Sequence, residues 1–305
     1  MDQIPNRILP PLYDLGVDVA TGSLRLGIAG DLRWAVVDLS EPAEYLRARL
    51  DLAPIPAVAL GRAMSAAALL LRFSSKNPGT LRFEILGEGP LGRLMVEVDD
   101  EGLLRATVAE QRFGFEDGSL DVGRAVGDGT LRVTQTFPGS EPWVSQVKLV
   151  SGEIGQDLVH FLHQSQQVRS AALLGVLPTP DGIAAAGGLL VEALPGADDQ
   201  QVRQLEQRID ALDGIGTLLE QGGADRLAEE LLASFEPEEL ERHTLRYGCR
   251  CSRESLRQRL LSLPAEDLTE AVDEKGTCVV VCAYCDGSIA FGPDDLGLGT
   301  AAGER

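Results

Sequence analysis

Five cysteines lie near the end of this 305-residue chain, and its first 248 residues contain none. Four of them form two close pairs, Cys249-x-Cys251 and Cys282-x-x-Cys285, which are separated by thirty residues. A zinc ion prefers four tetrahedral ligands, and two pairs of thiolates from two chain segments supply them with little strain. The spacing therefore predicts a zinc site built from these four residues.

The same two pairs are also candidates for disulfide chemistry. The cysteines of each pair are near neighbours in sequence, so each pair can oxidise once a metal has left, although Cys249 and Cys251 can join only where the backbone bends. Zinc-bound thiolates are already deprotonated, which is the form that oxidants attack. On spacing alone two interpretations stay open: a structural zinc site without a redox role, and a switch between a zinc-folded form and an oxidised, locally unfolded form.

The remaining candidate residues indicate no further chemistry. Cys278 lies in the apolar segment TCVVVCAYC, where a small buried strand residue is the better interpretation. His160 and His163 are three residues apart on a predicted helix, and without a third ligand we expect ordinary helix-face histidines. No serine–histidine–acid set emerges from the spacing. We therefore expect no enzyme, no catalytic residue and no organic cofactor.

Composition sets the class of protein and excludes some partners. The chain is 44% hydrophobic, which is enough to bury at least one sizeable core, and its length allows roughly two domains. A formal net charge of −20 repels phosphate backbones, so we expect no nucleic-acid partner. The longest purely apolar run, residues 66–71, is far too short to span a bilayer, and no secretory signal is visible, so we expect a soluble cytoplasmic protein without a membrane partner.

The first two thirds of the chain predict a mixed core of sheet and helix. Residues 81–150 alternate apolar and polar side chains, and the segments 129–137 and 141–150 flank a Pro-Gly-Ser turn typical of a hairpin. Helices are predicted over 58–73 and 152–165, and a further strand over 182–196.

Beyond residue 196 the pattern changes to amphipathic helix. Residues 198–221 and 224–235 carry apolar side chains at helical spacing with charge on the other faces. We therefore predict three parts: a mixed core over 1–195, an amphipathic helical linker over 196–248 and a cysteine-bearing unit over 249–305. The last unit is too small for a hydrophobic core alone, so a structural metal would also solve its stability problem.

Several longer motifs resemble one family closely. At the C-terminal end these are CRCSRE (249–254), LLSLPAEDLTEAVDEKG (260–276) and CAYCDGSIAF (282–291). The core adds GEGPLGRLMVEVD (87–99), GDGTLRVT (127–134), LVSGEIGQDLVHFLHQSQQV (149–168) and AAAGGLLVEALPG (184–196). Nearly end to end, the chain resembles the 33-kDa heat-shock chaperonins, a family of redox-regulated holdase chaperones.

The resemblance implies an α+β core domain, a metastable helical linker and a C-terminal zinc domain. It implies that Cys249, Cys251, Cys282 and Cys285 bind one Zn²⁺ in a reduced, inactive state. Oxidation is then expected to form the disulfides Cys249–Cys251 and Cys282–Cys285 and to release zinc. The linker would unfold and expose apolar surface, and the protein, as a homodimer when active, would hold unfolding client proteins without ATP. The amphipathic stripe of residues 198–235 agrees with this implication, because losing its support would expose a client-binding patch.

Two positions depart from the family's pattern, and the cysteine spacing is also compatible with two other functions. Cys278 is not part of the four-cysteine signature, and Asp286 stands where Gly or Asn is expected. The first alternative is a zinc-ribbon module that binds protein or nucleic acid in its metal-bound form, without a redox switch. The second is a thiol–disulfide oxidoreductase, which would need Cys282 and Cys285 at a helix N-terminus, whereas the sequence there predicts strand.

Overall fold

The structure, a computed structural model, describes residues 20–74, 79–212, 215–273 and 276–298. The chain forms two compact units, here named the core unit (Asp18–Tyr247) and the cysteine unit (the chain from Gly248). Residues 196–247 belong to the same compact unit as the predicted core. The three-part division at 195/196 and 248/249 stays a prediction, and the elements of each unit are given below.

Within its described residues, the core unit contains one ten-stranded sheet. The strands are β1 (Thr21–Ala29), β2 (Leu32–Asp38), β3 (Thr80–Gly87), β4 (Arg93–Asp99), β5 (Leu103–Val108), β6 (Gly129–Thr136), β7 (Trp143–Lys148), β8 (Ser170–Thr179), β9 (Gly182–Ala193) and β10 (Glu238–Tyr247). Their order across the sheet is β7-β6-β3-β4-β5-β10-β1-β2-β9-β8. Neighbouring strands run antiparallel except for β5 and β10, which are parallel. An antiparallel sheet with helices on its faces confirms the α+β fold class.

Six helices of the core unit are described: α1 (Ser40–Leu50), α2 (Pro54–Ser74), α3 (Val122–Val126), α4 (Gly155–Phe161), α5 (Asp199–Asp210) and α6 (Ile215–Leu232). The helix predicted over 58–73 is α2, and the one predicted over 152–165 is α4 with a π-helical turn, Leu162–Gln166, after it. By length and composition α2 could cross a membrane, but 89% of its most apolar window is buried in the unit. Its apolar surface is therefore used for packing against the sheet.

The predicted meander and hairpin are both present. β3, β4 and β5 pair antiparallel in chain order, and β6 pairs with β7 with Gln135 opposite Trp143. The apolar half of each alternation is buried, as in Phe83, Val96 and Val133. A strand whose side chains alternate in polarity is expected to bury its apolar face, and these strands do so. Their other face is polar, and its buried Glu84 and Glu97 are paired with arginines.

The linker helices α5 and α6 lie against the core unit's own sheet. Leu205 of α5 and Leu219, Leu227, Leu231 and Leu232 of α6 join one apolar cluster with residues of β2 and β9. Helix α6 is broken at Gly222 and Gly223, and Gly223 has a left-handed backbone with φ of 60°. The amphipathic pattern of residues 198–235 therefore marks a face that is buried in this state.

Residues 238–247, after these helices, form β10, a strand that the sequence analysis did not predict. Its first five residues are all exposed, and only Leu245 and Tyr247 are buried. A strand with so little apolar alternation gives almost no periodic signal in the sequence.

The cysteine unit contains α7 (Arg253–Leu261), α8 (Ala265–Glu270), β11 (Cys278–Val281) and β12 (Ser288–Phe291). β11 and β12 form a two-stranded antiparallel sheet. The buried apolar cluster of this unit comprises Leu260, Leu268, Cys278, Ile289, Phe291 and Leu296. So small a cluster is below what usually stabilises a domain without a metal or a disulfide.

Candidate metal centre

The fold of the cysteine unit brings the four predicted residues together. Cys249 and Cys251 lie just before α7, and Cys282 and Cys285 lie in the turn that joins β11 to β12. Their four Sγ atoms all lie within 4.8 Å of one another. Two contacts join the pairs, with 3.5 Å between the sulfurs of Cys249 and Cys282 and 3.4 Å between those of Cys251 and Cys285.

Backbone hydrogen bonds fix the turn that carries the second pair. The amide of Cys282 donates to the carbonyl of Gly287 at 2.9 Å, and the amide of Asp286 donates back to the carbonyl of Cys282 at 2.8 Å. Asp286 has a left-handed backbone, with φ of 54°. Glycine adopts this conformation without cost, and aspartate tolerates it better than most residues. The departure from the family's pattern at Asp286 is therefore accommodated by a turn of the expected kind.

Helix α7 ties the first pair to the segment that carries the second. Ser252 caps the helix: its hydroxyl accepts from the amide of Ser255 at 3.1 Å, and the Ser255 hydroxyl accepts from the amide of Ser252 at 3.1 Å. Arg253 donates to the carbonyl of Ala290 at 2.9 Å and to the carboxylate of Asp295 at 2.7 Å. These contacts fix the start of α7 against the residues around β12. They therefore hold the two cysteine-bearing segments next to each other.

The geometry of the four sulfurs fits a zinc ion. Zinc–thiolate bonds of about 2.3 Å place tetrahedral sulfurs about 3.8 Å apart. The Sγ separations of 3.4 to 4.8 Å bracket that value. They are far longer than the ~2.05 Å of a disulfide bond, and the cysteines are free thiols. Four soft thiolate donors in a tetrahedral arrangement are typical of zinc.

The electrostatics of the quartet also call for a cation. Hydrogen bonds from the Cys249 and Cys251 thiols lower the pKa of Cys282 strongly and that of Cys285 to about 7. The pKa of Cys251 is raised, first by its hydrogen bond to Cys249 and then by those to Cys282 and Cys285. A divalent cation among the four sulfurs would stabilise all of them as thiolates and displace their protons.

The four thiols differ in access to solvent. Cys249, Cys251 and Cys285 are buried, whereas Cys282 is partly exposed. Of the four residues Cys282 has the most contact with solvent, while all four sulfurs converge in a buried cluster.

The other candidate residues lie outside this cluster. Cys278 is buried in β11 opposite Phe291, which confirms its interpretation as a buried strand residue, and burial raises the pKa of its thiol. His160 and His163 line a cavity of about 440 Å³ in the core unit. Among the described residues, the four cysteines form the one group of three or more side chains placed to share a metal ion.

The position of the second pair bears on the oxidoreductase alternative. Cys282 and Cys285 are followed by strand β12 rather than by a helix. The thiolate of a redox enzyme's Cys-x-x-Cys pair is stabilised by the N-terminus of the helix that follows it. That arrangement is missing from the described residues around this pair.

Comparisons with known proteins converge on one family. A family model described as Hsp33 protein matches residues 26–292. The 33 kDa chaperonin of a Thermus thermophilus strain is 38% identical over 293 residues, which cover 90% of this chain and 85% of that protein. The 33 kDa chaperonin of Bacillus subtilis is 36% identical over 249 residues, covering 80% and 85%. The crystal structure of the 33 kDa chaperonin from Thermotoga maritima superposes with a TM-score of 0.80 at 30% identity, covering 92% of this chain and 97% of that one.

Proposed function

The chain belongs to the Hsp33 family of chaperones, and on that premise we propose that it is a redox-regulated holdase. It is inactive when reduced and zinc-bound, and it becomes active when disulfides form and zinc is released. In the active state it binds unfolding proteins without ATP and prevents their aggregation. The observation that carries the proposal is the convergence of four free thiols in a unit whose own apolar core is very small.

Zinc would stabilise the cysteine unit by joining the segment before α7 to the β11–β12 turn. Structural zinc contributes on the order of 10 kcal/mol to the folding of such domains. The buried cluster around Phe291 and Leu296 offers little to replace it. Loss of the metal is therefore expected to unfold the unit, after which nothing holds the two pairs of cysteines near each other.

The disulfides that we propose are Cys249–Cys251 and Cys282–Cys285. Each forms when two thiolates lose two electrons, and peroxide takes up those electrons and is reduced to water. In the folded unit, sulfurs of different pairs also lie close together, at 3.4 and 3.5 Å. Pairing within each motif needs no folded structure, however, so it becomes the favoured outcome once the unit unfolds. Cys282, the residue of the four with the most contact with solvent, is the proposed first site of oxidation.

The surface offered to clients is the sheet face now covered by α5 and α6. The cluster beneath them includes Trp34, Val36, Leu189 and Val191. An apolar area of this kind is kept covered in a resting protein, because exposed patches of several hundred Å² mark sites of association. Undocking of the two helices would uncover both this face and their own apolar stripes.

The remaining parts of the proposal concern partners and compartment. The clients are unfolding proteins, and the active form is a homodimer. The reduced resting state requires a reducing compartment, which in a bacterial cell is the cytoplasm. We propose no catalytic activity and no nucleic-acid or membrane partner.

The test follows three quantities together. Reduced, zinc-loaded protein is treated with peroxide at elevated temperature, and zinc release, free thiols and the suppression of client aggregation by light scattering are recorded. All three should change in step, and Cys278→Ala should behave like the unaltered chain because Cys278 lies outside the quartet. Zinc release without a gain in holding activity would contradict the proposal. Binding that needs the zinc-loaded form would favour the zinc-ribbon alternative.

A further inference from the structure

We propose that activation also opens a strand-binding site inside the sheet: β10 leaves its position between β1 and β5, and an extended segment of a client pairs with β1 in its place. This inference rests on the proposed function, since it needs the linker to undock. It adds a mode of recognition through the backbone to the apolar surface described above.

The topology makes β10 the sole link between two half-sheets. One half is β7-β6-β3-β4-β5 and the other is β1-β2-β9-β8, and in the described residues β1 and β5 do not pair with each other. β10 pairs with β1 over eight residues, from Thr21 opposite Arg246 to Ile28 opposite Glu238. It pairs with β5 at only two, Arg246 and Tyr247. Removing β10 therefore leaves an unpaired edge on β1 over almost the whole strand.

The buried side chains of the strand lie at one end only, and that end adjoins the cysteine unit in the chain. Leu245 and Tyr247 are buried, and the Tyr247 ring lies 5.6 Å from that of Tyr45. The residues from Glu238 to Arg242 are all exposed. Gly248 follows directly and begins the cysteine unit. Unfolding that starts at Cys249 thus reaches the anchored end of β10 within two residues.

One arginine couples β10 to the linker helices. Arg25 of β1 pairs with Asp225 of α6 and donates to Glu239 of β10 at 2.6 Å. Its guanidinium lies 5.9 Å from the Trp34 ring, and the side chain is largely buried. Arg25 is shared by both acidic partners, so its contacts with α6 and β10 support each other. Release of α6 therefore weakens the attachment of β10 to the sheet, and release of β10 weakens the docking of α6.

The vacated position fits an extended peptide of defined character. An unpaired strand edge offers a row of N–H and C=O groups that a second chain can pair with, and alternate side chains of that chain fill the pockets. The buried positions are now held by Leu245 and Tyr247, and the half-buried His243 lies opposite the buried Leu24 of β1. A matching client segment is therefore extended, with apolar residues at alternate positions.

The composition of β10 suits a strand that can be replaced. Glu238, Glu239, Glu241 and Arg242 give it charge on most of its exposed length. Glutamate and arginine pack poorly on a half-buried pleated surface compared with β-branched and aromatic residues. Strand segments of unfolding proteins, which are richer in those residues, would compete well for the β1 edge.

The experiment uses the full chain and a labelled peptide of residues 238–247 carrying Glu238→Thr, Glu239→Thr and Glu241→Thr. Fluorescence anisotropy should show binding to oxidised, zinc-free protein at least about tenfold tighter than to reduced, zinc-loaded protein, and tighter than binding of a scrambled peptide. The peptide should also displace a bound client. Failure to bind in a sample that suppresses client aggregation would overturn the strand site and leave the proposed function standing. A sample that holds no client would instead overturn the proposed function.

Two N-methylated peptides separate strand pairing from simple apolar binding. One carries methyl groups on the amides of positions 242 and 244, the other on those of 241 and 243, within the stretch that pairs in continuous register with β1. Successive amides of a strand point to opposite neighbours, so one peptide should bind about tenfold more weakly while the other is little changed. Equal losses for both peptides would overturn the inference.

Hydrogen exchange tests the same point without a peptide. On oxidation, the amides of β1 (Thr21–Ala29) that face β10 should exchange at least about tenfold faster, while those that face β2 and those of β9, between β2 and β8, remain protected. Adding a client should restore protection in β1. Unchanged protection of β1 in an oxidised, client-holding sample would refute the release of β10.

Discussion

Replacing Leu231 by alanine should partly activate the protein while its zinc stays bound. Leu231 lies in α6, is fully buried and belongs to the cluster beneath the linker helices. Leucine-to-alanine changes at such positions cost about 2–5 kcal/mol. If Leu231 is buried only while α6 is docked on the sheet, the whole of this cost is subtracted from the free energy that stabilises the docked state. The ratio of undocked to docked protein would then rise by about 30-fold to about 4,000-fold, since 1.4 kcal/mol corresponds to a factor of ten.

The matched control is Leu240→Ala. Leu240 has the same side chain but is 57% exposed in β10, so its removal should shift docking by less than about 0.5 kcal/mol. Both variants are kept reduced and zinc-loaded, and zinc content is measured to show that the metal remains. Holding activity is followed by light scattering of a denaturing client, and docking of α5 and α6 by hydrogen exchange.

Two results would refute different parts of the reasoning. Rapid exchange in α6 without any holding activity would show that the surface beneath the linker helices is not where clients bind. Slow exchange in α6 of Leu231→Ala, equal to that of Leu240→Ala, would show that burial of Leu231 does not decide docking. Holding activity in Leu231→Ala alone, with zinc retained, would support docking of the linker as the step that the redox state controls.

Three further predictions concern the metal site and the sheet. Cys285→Ser should lose zinc, because it removes one of the four converging sulfurs. Cys278→Ser should still bind one equivalent of zinc, because it changes only a residue packed in the apolar cluster of the unit. Metal analysis of the two purified variants measures the difference. Residue 286 has a left-handed backbone, which glycine adopts without strain and alanine only with strain. Asp286→Gly should therefore bind zinc more tightly and Asp286→Ala more weakly, each by about 1 kcal/mol of binding free energy. Competition with a chelator measures both affinities. Burial raises the pKa of Glu97, but the guanidinium groups of Arg105 and Arg82 lower it further, so the folded pKa lies below its usual range. A depressed pKa contributes stability above the unfolded value of about 4.3 that is lost as the pH falls. The stability advantage over Glu97→Gln should therefore disappear in acid, and an unchanged advantage at low pH, measured by denaturant unfolding, would contradict the assignment.

The cysteine quartet was predictable because its signal is local and chemical. Two close pairs of one residue type, such as Cys282 and Cys285, specify a four-ligand site wherever the fold brings them together. The β6–β7 hairpin and α2 were predictable for a similar reason, since their turn residues and apolar periodicity lie within one short window. These are the elements in which local preference and the final fold agree.

The sheet's order was not predictable from such windows. β10 pairs with β1, more than 200 residues away in the chain, and its stability comes from Leu245, Tyr247 and a shared arginine rather than from its own pattern. The turn at Gly30 and the apolar Leu24, Leu26 and Ile28 do carry a hairpin signal for β1 and β2, which the sequence analysis did not use. Long-range pairing of a charged strand leaves no comparable trace.

That the segment next to the cysteine quartet is a strand changes what the proposed redox switch would control. Undocking a helix uncovers side chains, because the backbone groups of the helix are satisfied within it, and the result is an apolar patch with little preference among partners. Removing β10 uncovers backbone donors and acceptors on β1 as well. Those groups are costly to leave unpaired beside a buried core, so the opened sheet gains free energy by pairing with any extended chain that reaches it. The same opening therefore selects for chains that are unfolded, because only they present an extended backbone free to pair.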